Sequence, residues 1–229
     1  ASVNNGAATF QKNVYNIHQL GALLPVVEWL FIFLPILFHA VVGVAIVAGG
    51  LPNSNHYRYA ANRRYTWQRI TGMIAFVFIF YHVFHMHGWF HNESWLANVV
   101  HPLGGGQFRP YNATSTAGVA LSAIPTVLYA IGVLASVFHF SNGLWTMGIT
   151  WGVWTSAAAQ ARATVACAGL GAILAVVGLS GIFGLRAAVA TPQRLDEVRE
   201  LEAKMLESRV AAGELEPNEH KTATDEDYE

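Results

Sequence analysis

Residues 24–48 read LPVVEWLFIFLPILFHAVVGVAIVA, with one acid (Glu28), one histidine (His39) and no lysine or arginine. About 20 apolar residues of helix cross the hydrocarbon core of a bilayer, so this stretch reads as a membrane span. Three more stretches of the same kind follow. They are 67–89 (WQRITGMIAFVFIFYHVFHMHGW), 118–142 (GVALSAIPTVLYAIGVLASVFHFSN) and 164–190 (TVACAGLGAILAVVGLSGIFGLRAAVA). The expected fold is an all-α integral membrane helix bundle with four transmembrane helices. Pro35 and Pro125 fall inside spans, where neighbouring helices satisfy the freed carbonyls. The Gly- and Ala-rich last span suits close helix packing in lipid.

Composition agrees. Of 229 residues, 53% are apolar and 12% charged, against about 25% charged in an ordinary soluble domain. Residues 1–190 hold eight Lys/Arg and only Glu28 and Glu93 as acids, whereas 191–229 hold five Lys/Arg against twelve acids. A mildly basic, apolar body is thus joined to an acidic tail. Cys167 stands alone, so no intrachain disulfide forms, and no CxxC pattern suggests zinc or an iron–sulfur cluster. The chain begins at Ala1 without a signal-peptide pattern, as a processed or incomplete form would. Lys12, Lys204 and Lys221 all lie outside the spans, which excludes a retinal Schiff base. No paired broken-helix pattern across two halves points to a transporter, and no nucleic-acid partner is expected.

Three regions result: an amphipathic connection over 1–23, the bundle over 24–190, and an acidic C-terminal helix with a disordered tail over 191–229. Loop 50–66 carries Arg58, Arg63 and Arg64, and segment 143–163 carries Arg162 with Trp145, Trp151 and Trp154 as interface anchors. By the positive-inside rule these two face the cytoplasm. The N-terminus, the Gly-rich loop 90–117 and the tail fall on the opposite side. Thr191 and Pro192 read as a helix start, with Leu195, Val198, Leu201 and Met205 at helical spacing to about Val210. The remainder has the composition of a disordered segment.

Ionisable groups inside a bilayer are costly and are functional candidates. Glu28, His39, His82 and His139 are the ones to explain. His39 and His139 sit towards the cytoplasmic ends of two spans running in the same direction, at depths matching within about one or two turns. His82 lies on a span running the other way, ~20 Å beyond Arg69 by helix rise. Two histidines at one depth on different helices suit a six-coordinate haem with no open position. They serve equally as interhelical hydrogen-bond partners or as a proton relay. Small residues accompany them: Gly43 four after His39, and Ala135 and Gly132 before His139. Arg69, Gly72, Ala75 and Ile79 share one helix face, from which Arg69 can neutralise a haem propionate. Glu28, one turn into its span, reads either as a functional carboxylate or as one snorkelling to water. His85, His87, His91 and His101 read as solvated residues at or beyond the outer face. The sequons at Asn92 and Asn112 carry little information.

The segments EWLFIFLPILFHAVVGV (28–44), WQRITGMIAFVFIFYHVFH (67–85) and IGVLASVFHFSNGLW (131–145) together resemble the single-chain dihaem cytochrome b membrane-anchor subunit of succinate dehydrogenases and fumarate reductases. FLPxxxHA, QRxTG and FHFSNGLW are the specific motifs. The likeness runs from about Phe10 to Arg186 in order and spacing. It implies five helices holding two b haems, the cytoplasmic one between His39 and His139. His82 would be one iron ligand of the other, paired with a histidine of the family's first helix. It implies a catalytic, proton-handling role for Glu28 at a menaquinone site. It also implies flavoprotein and iron–sulfur partner subunits on the cytoplasmic face, over the Arg58/Arg63/Arg64 loop. The expected function is electron transfer between the iron–sulfur subunit and membrane quinone through b haem, with the dicarboxylate chemistry in another subunit. The sequence departs from the pattern at its start, where the first helix and its histidine are expected to precede Ala1. Two other readings stand beside this one: a cytochrome b anchor of hydrogenase or formate dehydrogenase type, and a haem-free structural or proton-conducting membrane protein.

Overall fold

The computed structural model describes residues 2–50, 56–90 and 92–228, and among these there is no strand. The principal helices are α1 (Ala7–His18), α2 (Leu23–Ala48), α3 (Ala60–His87), α4 (Ala113–Ala120), α5 (Ala123–Thr150), α6 (Ala157–Ala188) and α7 (Pro192–Ala211). Helices α2, α3, α5 and α6 have 26, 28, 28 and 32 residues. At about 1.5 Å per residue each exceeds the thickness of a bilayer core. Their outward side chains are large and apolar, with Phe31, Phe38 and Val165 at 70%, 73% and 74% exposure. In water such surface would drive association, whereas in lipid it is the expected covering. The chain is an all-α protein with four helices able to span a membrane.

Helix boundaries move relative to the sequence reading, for local reasons. The span expected over 118–142 is interrupted. Leu121 leaves the helical region at φ −80° and ψ 52°, ending α4. Helix α5 then starts at Ala123 and runs on to Thr150. Pro125 is therefore its third residue, where the missing N–H has no helical partner to lose. Pro35 does lie within a continuous helix. It cannot donate to the carbonyl four residues back, and the turn before it, Trp29–Phe33, widens to π geometry.

The chain forms two compact units, one of residues 1–30, 80–128 and 180–229, the other of 31–79 and 129–179. In the first, Tyr15, Tyr111 and Leu215 form a buried core against which Met205, Leu206 and Val210 pack. Gln11 is fully buried; its amide donates to the Pro110 carbonyl and its oxygen accepts from the Ala113 N–H, both at 2.8 Å. Glu202 of α7, also fully buried, closes the start of α4. Its carboxyl group accepts from the N–H groups of Thr114 (2.7 Å) and Ser115 (3.2 Å) and from the Ser115 hydroxyl (2.5 Å).

Two expectations differ here. The segment after α7, disordered by composition, is held in place. Tyr111 donates to the Glu216 carbonyl at 3.0 Å, Arg109 pairs with Asp227 at 2.8 Å, and the Tyr228 and Ser115 hydroxyls lie 2.9 Å apart. These partners are about a hundred residues away in sequence, so local composition does not reveal them. Likewise His85 is not simply solvated, whereas His87 is exposed as expected. His85 is 6% exposed and stacks on Tyr81 at 5.2 Å, and His87 meets the Phe108 ring at 5.6 Å. The cause is loop 106–108, whose N–H groups donate to the Phe84, His85 and Met86 carbonyls at the end of α3. That pairing satisfies the helix's last acceptors and folds the loop over them. His101 is exposed, and His91 lies outside the described residues.

Candidate functional site

The second unit brings together parts of all four spans. Here the imidazoles of His39 (α2) and His139 (α5) approach to 5.9 Å between ring centroids, with planes at 78°. His39 is exposed on its helix, and at Gly43, one turn on, an added Cβ would meet nothing within 4 Å. His139 is half-buried against α3, its Nδ1 3.0 Å from the Gln68 carbonyl oxygen. Ala135, one turn earlier, is 6% exposed, and Gly132 lies directly under the Phe78 ring.

Arg69 caps the helix that carries His39. Its guanidinium donates to the carbonyls of Ile46 (3.1 Å), Val47 (2.5 Å) and Gly50 (2.9 Å). These are carbonyls that the end of α2 leaves without helical donors, where a cation also meets the negative end of the helix dipole. Its Nε is buried and has no hydrogen-bond partner among the described residues. Gly72 packs on the His139 ring and Ala75 is buried, so the small-residue face read from sequence points inward.

Of the remaining candidate residues, His82 and Glu28 lie in the first unit, and Arg58 and Arg63 in the second. His82 is exposed on α3. Glu28 is half-buried and ends the regular helical turns of Leu23–Glu28, immediately before the widened turn. Arg58 and Arg63, in the basic stretch before and at the start of α3, are exposed. No group of three or more His, Cys, Asp or Glu side chains gathers to hold a bare metal ion among the described residues.

Two residues that the sequence reading did not single out, Gln68 and Asn142, belong to the site, and they link it to Arg64. Gln68 donates through Nε2 to the His139 carbonyl (3.0 Å) and accepts at Oε1 from Asn142 (2.8 Å). Asn142, 5% exposed, accepts in turn from Arg64 Nε at 2.9 Å. Arg64 also donates to Thr164 at 3.1 Å and lies 3.7 Å over the Trp145 ring. The available signal was an amide in each of two spans, one three residues after His139.

Fold and site together define a class: an all-α integral membrane protein with paired imidazoles between its spans. Over 133 residues the chain is 33% identical to the succinate dehydrogenase cytochrome b558 subunit of Bacillus subtilis (strain 168). The match covers 58% of this chain and 58% of that protein, so it spans little more than half of the curated relative's length. This likeness bears out the resemblance to succinate dehydrogenase cytochrome b subunits carried by the motifs. No family model matches the sequence, and no solved structure matches it.

Proposed function

We propose that this chain is the membrane-anchor subunit of a succinate:quinone oxidoreductase, coupling electron transfer between an iron–sulfur partner subunit and a membrane quinone of the menaquinone type. The observation that carries the reading is the His39–His139 pair at 5.9 Å. Two imidazoles sharing one metal atom through bonds of about 2.0 Å hold their ring centroids roughly 6 Å apart. The buried, unpartnered Arg69 Nε supports the same reading, since it leaves a donor for an anionic edge such as a propionate.

Bound there, b haem would supply reversible one-electron chemistry. The chain's own residues do the rest. His39 and His139 hold the group by one nitrogen each, and Arg69 fixes the end of the helix bearing His39 while meeting the anionic edge. His82 is one ligand of a second haem. Glu28 takes up or releases the proton that quinone chemistry requires. The exposed Arg58 and Arg63 present positive charge to the flavoprotein and iron–sulfur partners on the cytoplasmic side.

The test uses the assembled complex purified through a tag on this chain. A flavoprotein and an iron–sulfur protein co-purify, and succinate reduces the b-type absorbance. A b-type absorbance that succinate leaves unchanged in a complex holding both partners would contradict the proposal. Glu28→Gln lowers quinone turnover about a hundredfold or more, a typical cost of losing a positioned proton-transfer group, with haem content unchanged. Wild-type turnover in that variant removes the role given to Glu28.

A further inference from the structure

The quoted motifs contain a symmetry that a ligand role for His139 does not require. QRITG (68–72) and HFSNG (139–143) each place a glycine four residues after a functional side chain. In the structure the two segments clasp each other. The His139 ring reaches the Gln68 carbonyl at 3.0 Å, and the Gln68 amide reaches the His139 carbonyl, also at 3.0 Å. In a regular helix each of those carbonyls is flanked by the residue four positions on, and here both are glycine. A Cβ on Gly72 would stand 2.7 Å from His139 Cε1, and one on Gly143 would stand 3.1 Å from Gln68 Nε2. Each glycine clears the approach for the other helix's side chain.

The consequence is chemical as well as steric. A carbonyl oxygen only accepts, so His139 Nδ1 must donate, which leaves the Nε2 lone pair for a metal. Ligating histidines characteristically donate their second nitrogen in this way, and the partner fixes ring orientation and ligand basicity. The Gln68 side chain holds the His139 backbone from the other direction. Asn142 and Arg64 lock that amide, because Asn142 donates to its oxygen and accepts from Arg64. With both Gln68 oxygen and nitrogen engaged, its amide orientation is determined.

We propose that the Gln68–Gly72 and His139–Gly143 segments form a reciprocal helix clasp that selects the Nδ1–H tautomer and ring orientation of His139, with Gln68 and Asn142 as positioning residues. The proposal rests on the haem reading above for its functional meaning, and its test separates the two. Gln68→Ala keeps the backbone carbonyl and removes the amide. It retains the haem while changing the low-spin EPR signal and midpoint potential of the His39–His139 site. Gln68→Glu, which sets a carboxylate against the His139 carbonyl, changes them further. Gly72→Ala displaces the ring and loses one haem equivalent while far-UV helicity is kept. Wild-type EPR signals and potentials in both Gln68 variants would overturn the clasp. If pure wild-type protein holds no b haem, the functional reading fails. The clasp is then judged by solid-state NMR of ¹⁵N-histidine protein against the His139→Gln variant: an Nδ1–H tautomer at position 139 supports it and an Nε2–H tautomer overturns it.

Discussion

His139 is held on two sides by α3, through its ring nitrogen at the Gln68 carbonyl and through its own carbonyl at the Gln68 amide. Around this pair the tolerance for added volume is small. Gly132 sits against the Phe78 ring so closely that a Cβ must displace it. Gly132→Ala therefore destabilises by about 1–3 kcal/mol, the usual cost of overpacking, read as a lower midpoint in thermal unfolding followed by helical circular dichroism. At this scale part of the site was legible. The helix rise placed His39 and His139 at similar depth, and the structure brings their rings together. The roles of Gln68, Asn142 and Gly143 were not legible, since each depends on which face of one helix meets which face of another. Arg69 shows the same limit: its charge was visible, but the carbonyls it caps at the end of α2 were not.

At the scale of elements, the packing of α7 and the segment after it is the most exposed to test. Glu202→Ala leaves the Thr114 and Ser115 N–H groups at the start of α4 without their acceptor. Unsatisfied buried donors cost about 1–3 kcal/mol, so limited proteolysis should cleave the variant near its C-terminus faster than wild type. Equal cleavage rates would show that Glu202 does not hold this region. His18, at the end of α1, gives a pH dependence. Burial, and secondarily the charge of Lys221, push its imidazole down from 6.5 to about 4. The folded protein thus resists protonation more than the unfolded chain does. Its contribution to the packing of this unit is fully present above pH 6.5 and is lost as the pH falls through about 4. NMR titration of His18 checks the midpoint, and an ordinary value near 6.5 would contradict this. Element boundaries were legible where the cause was local, as with Thr191, whose hydroxyl accepts from the Arg194 N–H at 3.3 Å. They were not legible where partners are distant, as at Leu121 and in the residues after α7.

For the whole molecule, hydropathy alone identified four spans, because lipid requires every backbone group to be satisfied within a helix. The acidic C-terminal region separated from the body by charge, yet it packs with α1 and the 109–116 segment in one unit. The proposed function requires b haem held between His39 and His139. Pyridine haemochrome analysis of the purified protein, with His39→Ala and His139→Ala alongside, tests it most directly. The wild type is expected to contain b-type haem, and either variant to lose one equivalent. Absence of b haem from the wild type, or full haem content in both variants, would contradict it.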